Sequence, residues 1–133
     1  MPDGFVLVAD DDHDLRILTS EILRRCGFLV EEAQDGEEVL DKLARREIDA
    51  VVLDVKMPRK DGILVVEEMS PEPPPPGVLL LTAYDIDHET RVRLGGRIVD
   101  ILRKPIPPTV LIEAVSQAVE VAQSARSNGG RRK

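Results

Sequence analysis

The chain has 133 residues, of which 42% are hydrophobic, so it can build one packed core and has no room for a second domain. Its 25 Asp and Glu residues outnumber its 18 Lys and Arg residues, and a surface this acidic repels phosphates, which argues against direct binding of DNA or RNA. No charged and apolar leader begins the chain and no apolar stretch approaches the roughly 18 residues of a membrane span, so we expect a cytoplasmic protein that does not contact a membrane.

The first half of the chain alternates short apolar runs with amphipathic segments, a pattern typical of strand and helix units around a parallel sheet. Residues 5–9 (FVLVA) predict a buried strand, and three aspartates follow it. The next helix should end at Gly27 and bury one apolar stripe, made of Leu15, Leu18, Ile22 and Cys26. The lone Cys26 is therefore expected to behave as a small buried hydrophobe.

Two further strands, with a helix between them, continue the same alternation. Residues 29–33 predict the second strand, and Asp35-Gly36 predicts a turn. The helix predicted over residues 37–46 should bury Val39, Leu40 and Leu43. Residues 50–54 (AVVLD) predict the third strand, which ends in an acidic residue, Asp54.

The second half repeats the pattern after a break at Met57-Pro58. We expect a short helix over 63–69, a strand over 78–81, a helix over 86–94 and a strand over 99–102. The proline-rich segment 70–77 should form a stiff surface loop, with a polyproline II ligand as the alternative. Thr109 is expected to cap a last helix with an apolar face formed by Leu111, Ala114, Val115, Ala118 and Ala122.

The C-terminal end differs in charge from the rest of the chain. Four of the 18 basic residues lie within 126–133, so residues 1–125 carry 14 basic against 25 acidic residues. We assign residues 1–123 to the domain and expect residues 124–133 to form a basic, disordered tail. Contact between this tail and an acidic partner is the alternative.

Polar side chains stand at the ends of four predicted strands: Asp10, Asp11 and Asp12, then Asp54, Thr82 and Lys104. Because the carboxyl ends of parallel strands meet at one edge of a sheet, we expect these side chains to lie together. Carboxylates crowded in this way repel each other unless a hard cation neutralises them, and oxygen ligands suit Mg²⁺. The sequence therefore predicts a Mg²⁺ site that can also receive a phosphoryl group.

Phosphoryl transfer needs an in-line nucleophile and positive charge near the phosphoryl oxygens. Asp54 is the predicted nucleophile because it ends a strand before a turn, whereas Asp10 and Asp11 form the metal-holding pair. Lys104 would supply a second positive charge, and Thr82 can donate a hydrogen bond to a phosphoryl oxygen. Each residue alone is a weak signal, but their order at successive strand ends is specific.

The runs VLVADDD, AVVLDVKMPRKDG, LLLTA and RKP carry these residues, and residues 5–123 resemble the CheY-like receiver domain of two-component response regulators. The resemblance implies a flavodoxin-like, doubly wound (βα)5 α/β fold with a five-stranded parallel sheet of order 2-1-3-4-5. It also implies a signalling switch rather than an enzyme, limited to Mg²⁺-dependent self-phosphorylation and slow self-dephosphorylation. A sensor histidine kinase or phosphotransfer protein would phosphorylate Asp54 and so change binding to a downstream effector or to a second copy of the chain.

The resemblance adds four residues to the description of the site. It makes the backbone carbonyl of Lys56 a metal ligand and Asp12 an N-terminal helix cap. Tyr84, two residues after Thr82, is expected to shield the acyl phosphate together with Lys56. The family often has Phe, Tyr or His where this chain has Ile101, so the aromatic part of the switch is in question and Ile101 is expected to be an edge-strand packing residue.

Three other functions remain open at this point. A phosphatase of the haloacid-dehalogenase kind needs an Asp two residues after its nucleophile, where this chain has Lys56. A pseudo-receiver would keep the fold without switching. Flavin binding is disfavoured because the aspartates after the first strand would repel a phosphate. Nothing after Gln123 resembles an effector domain, which leaves open whether the chain acts alone or as part of a longer protein.

Overall fold

The structure, a computed structural model, describes residues 4–70 and 75–131. Strands and helices alternate along the whole described chain. Their bounds are β1 Phe5–Ala9, α1 His13–Arg25, β2 Leu29–Ala33, α2 Gly36–Arg45, β3 Ala50–Asp54, α3 Gly62–Glu68, β4 Gly77–Thr82, α4 His88–Leu94, β5 Asp100–Arg103 and α5 Pro108–Arg131. A short 3-10 turn, Gly95–Arg97, lies between α4 and β5.

The five strands form one parallel sheet in the order β2-β1-β3-β4-β5. Every residue of β3 and β4 is buried, and their apolar sequences are those of strands covered on both faces. The edge strands β2 (LVEEA) and β5 (DILR) are partly exposed and carry charges, which discourages pairing with another chain. The predicted doubly wound α/β fold of order 2-1-3-4-5 is confirmed.

Helices cover both faces of the sheet, and each face has its own apolar core. On one face Leu23 of α1 and Leu111 and Val115 of α5 pack against β1, β3 and β4. On the other face the core includes Val39 of α2 and Val65 of α3. Alternate side chains of each strand pack into the two cores, so the sheet is covered on both faces.

Four helices begin in the same way, with an aspartate that accepts a hydrogen bond from the main-chain N–H three residues later. The caps are Asp12, Asp35, Asp61 and Asp87, and their acceptor distances lie between 2.7 and 3.1 Å. Each cap satisfies one of the free N–H groups at a helix start and places a negative charge at the positive end of the helix dipole. The predicted capping role of Asp12 is confirmed.

The buried face of α1 differs from the predicted one. Leu18 is 56% exposed and Cys26 is exposed at the C-terminal cap, whereas Ser20 and Leu23 are buried. The prediction of a buried Cys26 is therefore wrong. Several apolar stripes overlap on this helix because apolar residues at spacings of three and four occur in more than one register, and packing on the sheet selects the one through Leu23.

The start and the end of α5 also differ from expectation. The helix begins at Pro108, a residue suited to the first helical position because it has no N–H to leave unpaired, so Thr109 lies inside the first turn. All five residues of the predicted apolar face are buried. The backbone of 124–131 continues the helix, which contradicts an unstructured tail from Ser124; residues 132 and 133 lie outside the described range.

Two further observations complete the fold. In the proline-rich segment, residues 71–74 lie outside the described range, so the choice between a stiff loop and a polyproline II ligand stays a prediction. None of the helices within 4–70 and 75–131 is long and apolar enough to cross a membrane.

Candidate functional site

The strand registers bring the predicted site residues to one edge of the sheet. Ala9 of β1 pairs with Leu53 of β3, so Asp10 and Asp54 leave the sheet side by side. On the other side of β3, Thr82 ends β4, and its carbonyl accepts a hydrogen bond of 2.8 Å from the amide of Lys104. Four consecutive strands of the spatial order thus each place a polar residue at the same edge.

A cavity of about 540 Å³ opens at this edge. Its walls include every predicted site residue except Ile101, namely Asp10, Asp11, Asp54, Lys56, Thr82, Tyr84 and Lys104. Asp10, Asp54 and Thr82 are each about 95% buried, whereas Asp11 is exposed at the rim. The site is therefore a pocket, open to solvent, whose floor carries buried polar side chains.

The floor of the pocket carries an acidic cluster. Carboxylate oxygens of Asp10, Asp11 and Asp54 lie within 4.8 Å of one another. Three convergent carboxylates are the hard oxygen donors that Mg²⁺ prefers. The donor set fits Mg²⁺, which would complete its shell with water or with phosphoryl oxygens.

Lys104 is the nearest positive charge to this cluster. Its Nζ lies 3.1 Å from Oδ2 of Asp54 and 3.6 Å from Oδ2 of Asp10. Burial and, after it, the negative charge of Asp10 raise the pKa of Asp54, whereas the ammonium of Lys104 lowers it, and the net result is a pKa of about 6. At neutral pH Asp54 is therefore largely ionised, which a nucleophilic carboxylate requires.

Asp10 is held by hydrogen bonds to its main chain and to its side chain. Its amide donates to the carbonyl of Ala33 at 3.1 Å, and its Oδ1 accepts from the amide of Asp12 at 2.9 Å. Its second oxygen, Oδ2, is the one that faces Lys104. These bonds pre-orient one carboxylate of the cluster before any ion binds.

Thr82 faces the loop that follows β4. Its hydroxyl donates to the carbonyl of Tyr84 at 2.8 Å and accepts from the amide of Tyr84 at 3.0 Å. The Nζ of Lys56 lies 5.6 Å from the centre of the Tyr84 ring, within the range of a cation–π contact. The loops after β3 and β4 therefore meet across the pocket through Lys56 and Tyr84.

Ile101 lies away from the pocket. It is partly buried on the edge strand β5 and packs against the apolar core that contains Leu80. Its place agrees with that of an edge-strand packing residue. The position of the Lys56 carbonyl as a metal ligand stays a prediction, since only the place of Lys56 in the pocket wall is established.

Two residues near the pocket were missed by the sequence interpretation. Asp61 caps α3 and also lines the cavity. Arg16 of α1 donates to the main-chain carbonyl of Asp10 at 2.8 Å. The N-cap pattern before residues 62–68 could have revealed Asp61, but nothing in the sequence indicates that a basic residue on α1 reaches back to Asp10.

Comparison with known proteins agrees with this geometry. A family model described as the response regulator receiver domain matches residues 6–116. The response regulator MprA of Mycobacterium sp. (strain KMS) is 42% identical over 100 residues, which are 75% of this chain and 44% of MprA. The transcriptional regulatory protein PdtaR of Mycobacterium tuberculosis is 36% identical over 115 residues, 86% of this chain and 56% of PdtaR.

Solved structures show the same fold. The receiver domain of the Francisella response regulator 1452 superimposes with a TM-score of 0.79 at 28% identity, covering 89% of this chain and 98% of that one. The chain spans about half the length of the curated relatives it matches, since the aligned parts are 44% of MprA and 56% of PdtaR.

Proposed function

The chain belongs to the response regulator receiver domain family of two-component signalling, and on that premise we propose that Asp54 is its phosphoacceptor. The observation that carries this proposal is the contact of 3.1 Å between Asp54 and Lys104 beside the acidic cluster. Asp54 is about 95% buried and lies 3.1 Å from Nζ of Lys104, closer than Asp10 at 3.6 Å. The family is a signalling switch, so the expected output is a change of binding rather than a released product.

The chemistry would proceed by in-line transfer. A carboxylate oxygen of Asp54 attacks the phosphorus, an acyl phosphate bond forms, and the phosphorus–nitrogen bond of a donor phosphohistidine breaks, returning its electron pair to the imidazole. Asp10, Asp11, Asp54 and the Lys56 carbonyl would hold Mg²⁺, which would supply positive charge near the phosphoryl oxygens. Asp54 loses its negative charge when the acyl phosphate forms. The ammonium of Lys104 would then pair with a negatively charged phosphoryl oxygen instead of Oδ2 of Asp54.

Thr82 would couple this chemistry to the surface. To bind a phosphoryl oxygen, its hydroxyl has to give up the hydrogen bond that it donates to the carbonyl of Tyr84. The loop between β4 and α4 then loses one of its anchors and can adopt a second packing. Because Ile101 has no aromatic ring to swing inward, we assign the switch to this loop and to α4.

The binding partners follow from the family and stay proposals for this chain. A sensor histidine kinase or a phosphotransfer protein would donate the phosphoryl group. A downstream effector, or a second phosphorylated copy of the chain, would recognise the altered α4 surface. The chain spans about half of its relatives' length, so an output activity like theirs is not assigned to the described domain.

The phosphoacceptor is tested by incubating the protein with acetyl phosphate and Mg²⁺ and separating the products by Phos-tag electrophoresis. Wild type should shift and Asp54→Ala should not, whereas the control Asp41→Ala, an exposed acid on α2, should shift like wild type. Equal labelling of wild type and Asp54→Ala would refute the assignment. No labelling of wild type would favour a pseudo-receiver.

We further propose that Lys56 and Tyr84 slow hydrolysis of the acyl phosphate by covering it. The support is their contact across the mouth of the pocket. The double variant Lys56→Ala, Tyr84→Ala should lose its phosphoryl group severalfold faster than wild type after the donor is removed. Val121→Ala, on the exposed part of α5, serves as control. A double variant that hydrolyses no faster than wild type would contradict the shield.

A further inference from the structure

Arg16 lies at the junction of α1, β2 and the acidic loop after β1. Its side chain is only 11% exposed, although it carries a full charge. Nε donates to Oε1 of Glu32 at 3.1 Å, one terminal nitrogen donates to the main-chain carbonyl of Asp10 at 2.8 Å, and the other lies 3.2 Å from Nδ1 of His13. A charge buried to this degree is stable only because all three nitrogens have partners.

The planar guanidinium of Arg16 sets the distance between the carboxylate of Glu32 and the carbonyl of Asp10. Glu32 is anchored in β2, next to Ala33, whose carbonyl accepts from the amide of Asp10. The end of β2 therefore holds Asp10 twice, once directly through Ala33 and once through the Glu32–Arg16 pair. A lysine could not reproduce this, because a single ammonium lacks the rigid fork that joins a carboxylate to a carbonyl.

These contacts converge on a single acid of the cluster. The amide of Asp10 is held by Ala33, its carbonyl by Arg16 and its Oδ1 by the amide of Asp12, so its Oδ2 is directed into the pocket. Asp11 is exposed at the rim, and Asp54 is needed for the transfer itself. The amide, the carbonyl and one carboxylate oxygen of Asp10 are thus all held by neighbouring groups.

We propose that Arg16, oriented by Glu32, is a positioning residue that presets Asp10 for Mg²⁺ and so tunes the affinity of the site for the ion. The inference rests on the proposed Mg²⁺ site and adds to it two residues, neither of which touches the ion. Outer partners of metal ligands commonly change affinity by about 10- to 100-fold. Loss of Arg16 frees the carbonyl of Asp10. The loop after β1 then has to become ordered when the ion binds, which lowers the affinity for Mg²⁺.

The test is a titration of ¹⁵N-labelled protein with Mg²⁺ alone, in which amide shifts at the site report the Kd. Arg16→Met should raise the Kd by about tenfold, and Arg16→Lys and Glu32→Gln should each raise it by about threefold. The matched control is Arg24→Met, on the same helix. Arg24 also contacts Glu32, at 3.6 Å, and donates to the carbonyl of Val30 instead of that of Asp10. Its Kd should stay within about twofold of wild type.

The outcomes separate this role from a merely structural one. Thermal unfolding of the metal-free variants measures lost stability, which Arg16→Met and Arg24→Met are both expected to show, whereas only the Arg16 variants should lose Mg²⁺ affinity. An unchanged Kd in Arg16→Met overturns the inference. If that variant does not fold, unchanged values in both Arg16→Lys and Glu32→Gln overturn it. Wild type without any Mg²⁺ response would contradict the Mg²⁺ site itself as well as this role.

Discussion

The surroundings of Asp54 disfavour the ionised form of its carboxyl group. Burial and the neighbouring Asp10 raise its pKa to about 6, and the single ammonium of Lys104 compensates only in part. The pKa in the folded protein thus exceeds the value of an unfolded aspartate, so folding favours the protonated form. The stability that this provides is complete below about pH 4 and is lost as the pH rises through 6. The proposed phosphoryl transfer requires the ionised form of Asp54, which is the less stable one in the folded protein.

Asp54→Asn should therefore stabilise the metal-free protein, because an amide cannot ionise. At about pH 7.5 in EDTA we expect the free energy of unfolding to rise by about 1–3 kcal/mol, and at about pH 5 the gain should fall to roughly half. Urea unfolding at the two pH values measures the difference. Glu120→Gln, an exposed acid on α5, should change stability by less than about 0.5 kcal/mol at both. A stability gain that is larger at about pH 5 than at about pH 7.5 would show that the pKa of Asp54 is not raised in the folded protein.

The loop between β3 and α3 shows how an element positions the proposed phosphoacceptor, Asp54. The amide of Gly62 donates to the carbonyl of Val55 at 2.7 Å, so the start of α3 folds back against the end of β3. A Cβ at Gly62 would lie 2.6 Å from the carbonyl oxygen of Asp54 and 3.0 Å from Cα of Val55. Main-chain atoms cannot move aside as a flexible side chain can, and this close approach requires glycine.

Gly62→Ala is expected to displace the backbone at Asp54. We expect a loss of about 1–3 kcal/mol in the free energy of unfolding and slower labelling by acetyl phosphate, because both strain and misplacement act on the same residue. Gly96→Ala is the matched control, since a Cβ there would have no heavy atom within 4 Å. Denaturation and Phos-tag time courses measure the two effects. Normal stability and labelling in Gly62→Ala would contradict the close approach.

At the scale of the molecule, α5 closes the edge of the sheet opposite to the pocket. Asp49, just before β3, is 95% buried and accepts hydrogen bonds from the amide of Phe5 at 2.8 Å and from Gln123 at 3.5 Å. Arg126 forms an ion pair with the same carboxylate and contacts Glu47 at 3.4 Å. The extended helix thus ties the amino ends of β1 and β3 together.

Arg126→Met should leave a buried carboxylate without its cation. We expect the free energy of unfolding to fall by about 1–3 kcal/mol. This is less than the cost of breaking a fully buried ion pair, because the Arg126 side chain is 23% exposed. Labelling of Asp54 should keep its wild-type rate, because the pair lies at the other edge of the sheet. Arg45→Met removes an exposed pair with Asp41 and should cost at most about 0.5 kcal/mol. Equal losses in the two variants would show that the Arg126 pair contributes no more than a surface contact.

Local sequence signals predicted most of this fold and failed where several solutions were equally good. Apolar runs located all five strands within one residue at each end, because fully covered strands leave little choice of composition. On α1 the spacing rule allowed more than one stripe, and the structure buries Leu23 rather than Leu18. At the C-terminus, Ser and Gly residues suggested a tail, but the helix continues and Arg126 finds a buried partner 77 residues away.

The sequence by itself determined the parallel α/β architecture and which residues stand at the strand ends, because both follow from short-range patterns of apolar, acidic and glycine residues. Only the tertiary structure decided how these residues act on one another: the raised pKa of Asp54, the contact of Lys56 with Tyr84 and the hold of Arg16 on Asp10. Burial and distances between residues far apart in the chain set these properties, and no local pattern encodes them.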